Sequence, residues 1–534
     1  MELETMPAPV RRAKNPSSSQ GGGVSWPVEL ALAASMTNLL MIRSWFSILY
    51  DADFGYFNRQ PVTSPTLWAM LVSLIAGTAL LWIALKIWQR LPWRWSRPLG
   101  ILAVLALLLI PVNFFRWAVF NVPAATIFQA ARNPMVMACA TVGCALVFWK
   151  WTWTARLLRI LLLVLAPVSL LSTGKIVLVL SGLIKLRQHE ASPPIAQVLP
   201  EPRQGPRIIW VVFDELDFRL VFPERPQRLS LPELDRLKTE SLFATNARPP
   251  AYGTLLSIPA LTTGFQVHKG VPCSPNDLKL VELDSGQTTN WSQMPSLFKD
   301  ARALGYNSAI VGWHHPYRRV FSNVVSFCQW YPSPWYEQSR GPDFTTAIVN
   351  QWWSTLAPLQ QRRLFIRIHQ SSVETSLQIA TNRQFNLVYL HLLPPHRPGI
   401  YDPLKDRFTL LNFSTVKGYF DNLHLVDQTL AKLRAALKEA KLEDNTWILV
   451  TADHSWRESG RYDGRFDERV PWLLKAPGNS IGMEHSTPFN TVATRHLLAS
   501  ILRGDVRTLP EAHQWLQKNA PNLPPITDLS ADDH

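Results

Sequence analysis

The sequence predicts an α/β protein, with five N-terminal transmembrane helices followed by an extracytoplasmic α/β sandwich around a largely parallel sheet. Three observations carry this reading. The basic excess is confined to the apolar third: residues 1–190 hold 17 Lys and Arg against six acids, and the rest of the chain holds 36 against 33. Five apolar stretches fill that third, separated by loops that alternate between rich and poor in cations. After residue 207, short continuous apolar runs alternate with helical patterns, as strands buried on both faces do between covering helices. A chain of 534 residues that is 47% hydrophobic and only 17% charged is too apolar for disorder and long enough for more than one domain. Its net charge of +14 orients a membrane domain and is not a nucleic-acid footprint, so no nucleic-acid partner is expected. Four cysteines with no C-x-x-C or Cys/His spacing exclude a disulfide scaffold or a zinc finger.

In chain order, residues 1–25 form a cytoplasmic tail carrying Arg11, Arg12 and Lys14. Residues 26–187 hold the five spans, near 27–50, 67–85, 98–120, 134–153 and 157–184. The second, LWAMLVSLIAGTALLWIAL, is an uncharged run about as long as a bilayer core is thick. Cations cluster in alternate loops (Lys86, Arg90, Arg94 and Arg97; then Lys150, Arg156 and Arg159), while the loops at 51–65 and 121–133 carry only Arg59 and Arg132. The positive-inside rule therefore predicts the N-terminus inside and everything after 185 outside. Arg43, Arg116 and Lys175 fall in the outer halves of their spans. They are read either as snorkelling side chains or as a cradle for a lipid phosphate. Residues 188–207, rich in Pro, are a stiff linker to an external domain at 208–534.

In that domain the strands are 208–213, 308–313, 386–392 and 446–451, with helical patterns at 232–242, 295–304, 343–357 and 414–440. Ligands of such sheets bind beyond the carboxyl ends of the strands. Two strand ends carry metal-ligand chemistry: IIWVVF runs into Asp214-Glu215, and TWILVTA into Asp453-His454. A carboxylate there loses its water, a cost that a divalent cation offsets. Asp, Glu and imidazole suit zinc or manganese. Either pair alone is equally well read as a helix cap or surface turn. Thr254 follows Gly253 and opens an apolar helical stretch, so its hydroxyl belongs at a helix N-terminus, where an anionic oxygen is favoured. A plain N-cap would look the same.

Asp214 after a buried strand, Thr-x-x-Ser-Ile-Pro (254–259), Pro-Pro-His (394–396) and Ala-Asp-His (452–454) together resemble the alkaline phosphatase/sulfatase superfamily. The similar branch is its membrane-anchored transferases, lipoteichoic acid synthase and the phosphoethanolamine transferases, which also place five helices before an external domain. The resemblance implies that Asp214, Thr254, Asp453 and His454 are metal ligands, with Thr254 also the nucleophile. It implies a substrate or second-metal position for His396, whose imidazole could protonate a leaving oxygen. The chain departs from the phosphoethanolamine branch at Phe213-Asp214-Glu215, where that branch has Gly-Glu-Thr. The Asp-Glu pair looks like the consecutive acids of sulfatases and adds Glu215 as a ligand. Formylglycine sulfatases need C/S-x-P-x-R; Cys273-Ser-Pro-Asn-Asp277 lacks the Arg, and it is read as a loop.

His315, after the strand at 308–313, and His485 are expected as substrate contacts, although a surface turn at 314–315 is the plainer reading. His391 is read as a satisfied core histidine. Cys273 and Cys328 could pair or stay free. The function these residues imply is a membrane-bound, metal-dependent transferase or hydrolase that moves a phospho-substituent through a threonine. Its partner would be a membrane lipid or envelope glycan, and its site would face away from the cytoplasm. The alternatives are a hydrolase using water and an inactive scaffold of the same fold.

Overall fold

The computed structural model describes residues 25–50, 62–90, 93–120, 122, 130–186, 193–274, 276–334 and 339–520. Residues 1–24 of the N-terminal tail, Arg59 and the start of the linker lie outside them. Contacts divide the chain into two units, residues 1–40 with 74–174, and 41–73 with 175–534.

Helices cover all five apolar stretches: α1 (Trp26–Leu40) and α2 (Ile42–Leu49), α3 (Ser64–Arg90), α4 (Trp93–Ala118), α5 (Pro134–Trp149) and α6 (Trp151–Leu180). Of these, α3 and α6 are long and apolar enough to cross a membrane, and the bent pair α1–α2 makes a third if it is one span. The apolar parts of α4 and α5 are shorter. In the first unit the buried Glu29 of α1 pairs with Lys86 and accepts from Gln89 Nε2 at 2.7 Å, both on α3. A buried acid is tolerable because it is paired.

The second unit is the α/β domain. Eight strands form its main sheet: β1 (Arg207–Asp214), β2 (Leu242–Ala244), β3 (Ser308–Trp313), β4 (Phe327–Tyr331), β5 (Leu387–Pro395), β6 (Thr446–Ala452), β7 (Trp472–Lys475) and β8 (Met483–His485). Their order is β8-β2-β7-β6-β1-β5-β3-β4. The five from β6 to β4 are parallel, and β7 pairs antiparallel with both β6 and β2. The four strands read from sequence are the adjacent parallel strands β6, β1, β5 and β3, and every residue of the four is buried. Because β1 pairs in register with β6 through Phe213 and Ala452, the residues that follow, Asp214 and Asp453, emerge side by side.

The covering helices include α7 (Pro232–Glu240), α8 (Thr254–Thr263), α9 (Leu297–Ala303), α10 (Phe344–Trp353), α11 (Ala357–Thr381) and α12 (Thr415–Glu439). Helices α7 and α12 are tied by Arg434, only 4% exposed, which reaches Glu233, Glu240 and Glu443 at 2.6, 2.6 and 2.7 Å. Removing one partner from a buried ion cluster strands the others. Arg434→Met is therefore expected to cost about 3–5 kcal/mol in urea unfolding. Glu240→Gln, which leaves Arg434 two carboxylates, should cost less.

The membrane-proximal stretch 41–73 belongs to this unit through a polar seam. Ser44 Oγ on α2 lies 2.5 Å from Ser354 Oγ and 3.1 Å from Ser339 Oγ, and Arg340 donates to Ser47 O at 3.0 Å. Gln351 of α10 accepts from Ser73 at 2.9 Å and donates to Thr66 O at 3.1 Å. Lys175 donates to Leu49 O at 3.0 Å and lies 3.5 Å from the Tyr50 ring centroid. The described part of the linker, 193–206, runs along the domain, exchanging hydrogen bonds between Leu199 and the Asn307 side chain.

Candidate active site

Five strand and helix ends converge at the carboxyl edge of the parallel strands. Strand β1 delivers Asp214 and Glu215, β6 delivers Asp453 and His454, α8 begins with Thr254, the loop after β5 carries His396, and β3 ends at Trp313 before His314 and His315. Thr254 is not the helix cap: Gly253 is, with extended backbone and no side-chain cap bond. The threonine hydroxyl is thus left free of the backbone. It lies 3.3 Å from Asp214 Oδ2 and 3.3 Å from His454 Nε2. His454 Nε2 is also 3.4 Å from Asp453 Oδ2 and 3.8 Å from Asp214 Oδ1.

The imidazoles are presented as ligands. His454 Nδ1 donates to Ser455 O at 2.9 Å and His396 Nδ1 to Arg397 O at 2.6 Å, which leaves each Nε2 with a lone pair. Asp214, Asp453 and His454 form one group able to hold a metal ion, and Asp214, Glu215 and His396 a second, every member buried. The His396 loop, with cis Pro394–Pro395 and Arg397–Pro398 bonds, is held by Asn422, whose Nδ2 donates to the carbonyls of Pro395, His396 and Pro398 at 3.0–3.3 Å. Glu215, at φ +65°, is fixed through its carbonyl, which accepts from Tyr419 Oη at 2.9 Å.

The donor set fits a divalent cation. Asp214 Oδ1 and Asp453 Oδ2 are buried and have no hydrogen-bond partner, a costly state for carboxylates unless a cation completes it. Three buried carboxylates face one guanidinium, that of Arg457, 3.0 Å from Glu215 Oε1, so two negative charges remain to be balanced. Without a cation, burial pushes the Asp214 carboxyl well above its ordinary range, and Asp453 and Glu215 push it further. Burial holds His391 well below the ordinary imidazole value and brings His396 down to about 4, so both rings are neutral, as metal ligands must be.

Two expected roles change. His315 is wholly buried and its Nε2 donates to Thr254 O at 2.9 Å, so it supports the threonine from behind. His485 sits on β8, three strand spacings from β6, roughly 14 Å away; its ring packs on Phe489 and His513, outside the site. His396 commits Nδ1 to the Arg397 carbonyl, which leaves Nε2 as the atom that can serve the site. Cys273 and Cys328 are both free, the first exposed and the second buried.

Sequence reasoning missed two residues. His391, read as a satisfied core residue, bonds Tyr317 Oη at 2.7 Å through Nδ1, but its Nε2 is unpartnered and 3.9 Å from Asp214 Oδ2. Position 391 in a strand already pointed to this edge. Arg457 had no periodic signal; its Nη1 lies 4.0 Å from where a side chain at Gly253 would begin, beside the threonine.

The family model described as Sulfatase matches residues 206–489, more than half of the chain, with the first metal-binding group and Thr254 inside it. The chain therefore belongs to the sulfatase family. A segment of 87 residues is 29% identical to lipoteichoic acid synthase 1 of Bacillus subtilis (strain 168), a match spanning 14% of this chain and 14% of that protein. Solved structures similar to it include the PsFucS1 sulfatase from Pseudoalteromonas sp. (16% identity, 56% of this chain and 68% of that one, TM-score 0.41). The phosphonate monoester hydrolase of Agrobacterium radiobacter is another (15% identity, 58% and 77%, TM-score 0.37).

Proposed function

We propose that this protein is a membrane-bound transferase that moves a phospho-substituent, of phosphoethanolamine or phosphoglycerol type, from a lipid through Thr254 to an envelope lipid or glycan. The observation that carries the reading is the Thr254 hydroxyl, uncommitted to its own helix and 3.3 Å from both Asp214 and His454. In this reading five spans anchor residues 26–187 with the N-terminus inside, and residues 208–534 face the periplasm or cell exterior.

Asp214, Glu215, Asp453, His454 and His396 would hold zinc or manganese, with Thr254 touching the ion. A bound cation lowers the pKa of a coordinated hydroxyl and offsets charge on phosphoryl oxygens. The chain's own groups do the rest. Asp214 Oδ2 accepts the Thr254 hydrogen bond and aims Oγ out of the helix end. The first-turn N–H groups of α8 and the Arg457 guanidinium face the anionic oxygens of the substrate. Thr254 Oγ forms a bond to phosphorus as the bond to the leaving oxygen breaks, and the Thr254 proton passes through solvent to that oxygen, which departs as a hydroxyl. The acceptor hydroxyl then displaces Thr254, and the proton it gives up returns to Thr254 Oγ. If water is the acceptor, the protein is a phosphodiesterase.

The test is full-length protein in detergent, loaded with zinc or manganese, given phosphatidylethanolamine or phosphatidylglycerol vesicles. Diacylglycerol release that requires an added hydroxylated acceptor supports transfer; release without one supports hydrolysis. No release from either lipid overturns the lipid-donor reading. Arg457→Met is expected to lower kcat/KM by roughly 10²–10³-fold, with unchanged metal content.

A further inference from the structure

A second polar cavity, of about 340 Å³, lies between the hairpin Tyr401–Asp402/Arg407–Phe408 and helices α11 and α12. None of its lining residues belongs to the carboxylate site. Its floor is buried: Tyr401 is 3% exposed and His369 5%. His369 Nδ1 has no hydrogen-bond partner, although a buried ring nitrogen without one is costly. That imidazole belongs to neither metal-binding group and stands on α11 beside the Phe408 ring at 5.8 Å between centroids.

The mouth is charged and exposed, with Lys432 and Arg407 opposite the single carboxylate of Asp406. Asp406 already accepts from Tyr401 Oη and from Gln428 Nε2 at 3.4 Å, and Gln428 also reaches Tyr401 Oη at 2.7 Å. The cavity thus offers one excess positive charge at its rim, fixed acceptors and donors along its wall, and two aromatic faces, Tyr401 and Phe408, 6.0 Å apart. Hydroxyls bond both ways with such a wall, sugar C–H faces lie on aromatic rings, and an acid group meets the rim cations. It is too polar for an acyl chain and too large for phosphate alone.

We propose that this cavity binds a phosphorylated sugar or polyol, with the phosphate on Lys432 and Arg407 and a hydroxyl on His369. The experiment uses full-length protein in detergent, with glucose 6-phosphate as probe in saturation-transfer NMR and calorimetry. Binding is expected to persist in Asp453→Asn, which disables the carboxylate site, and to weaken at least tenfold in Lys432→Met and Arg407→Met. His369→Gln, which adds no charge, should weaken it less, and unfolding temperatures check that each variant is folded. Glucose and inorganic phosphate should each bind at least tenfold more weakly than the probe. The proposal is overturned if the probe does not bind, if inorganic phosphate binds as well, or if binding is lost in Asp453→Asn and untouched by the rim variants.

Discussion

Thr254→Ala is expected to lower turnover by at least about 10³-fold while leaving the fold intact, because a nucleophile has no substitute within reach. The hydroxyl makes only two side-chain contacts, each at 3.3 Å, and α8 is capped by Gly253 and anchored by Gly253 O and His315, not by Thr254 Oγ. The unfolding temperature should therefore shift by no more than a few degrees. Thr254→Ser should keep measurable turnover. A helix cap would behave in the opposite way, costing about 1 kcal/mol and little activity. Steady-state kinetics with thermal unfolding on the same samples separates the two.

The second large effect concerns the carboxylates. Asp453→Asn is expected to abolish stoichiometric metal and to lower activity by at least about 10³-fold. Chelation should lower the stability of the loaded protein by about 3 kcal/mol where the metal had been at a hundred times its Kd. The pH dependence carries a sign. Without a cation, burial raises the folded-state pKa of Asp214 above its unfolded value, with Asp453 and Glu215 adding to it. Its contribution is present in acid and is lost as pH rises through the raised value. Neutral buried histidines such as His391 and His396 act with the opposite sign, so the effect is read by difference. From acid to neutral pH, chelated protein should lose unfolding temperature relative to the metal-loaded form, and also relative to Asp453→Asn, which lacks one repelling charge. Scanning calorimetry with and without chelator checks both.

The central sheet was legible because β1, β3, β5 and β6 are buried on both faces and so read as unbroken apolar runs. From their ends, Asp214, Glu215, Asp453 and His454 followed directly. Helix α11 was not legible: it buries Gln360, Gln361, Arg362, His369, Ser372 and Ser376, which dilutes the apolar period a helix normally shows. His485 misled because β8 is an edge strand, and sequence gives no strand order. Arg457 follows His454 by three residues, but only the turn after β6 brings it onto Glu215. In the N-terminal third, hydropathy marked five stretches, whereas among the described residues only α3 and α6 are long and apolar enough on their own. The polar seam of Ser44, Gln351 and Ser354 could not be seen from residues some three hundred positions apart.

The most direct measurement is peptide mass spectrometry of full-length, metal-loaded protein quenched during turnover with a phospholipid donor. The account predicts a phospho-substituent on the Thr254 side chain, absent in Thr254→Ala, whose mass identifies the transferred group. Continued turnover with Thr254 unmodified, or undiminished turnover in Thr254→Ala, would contradict it.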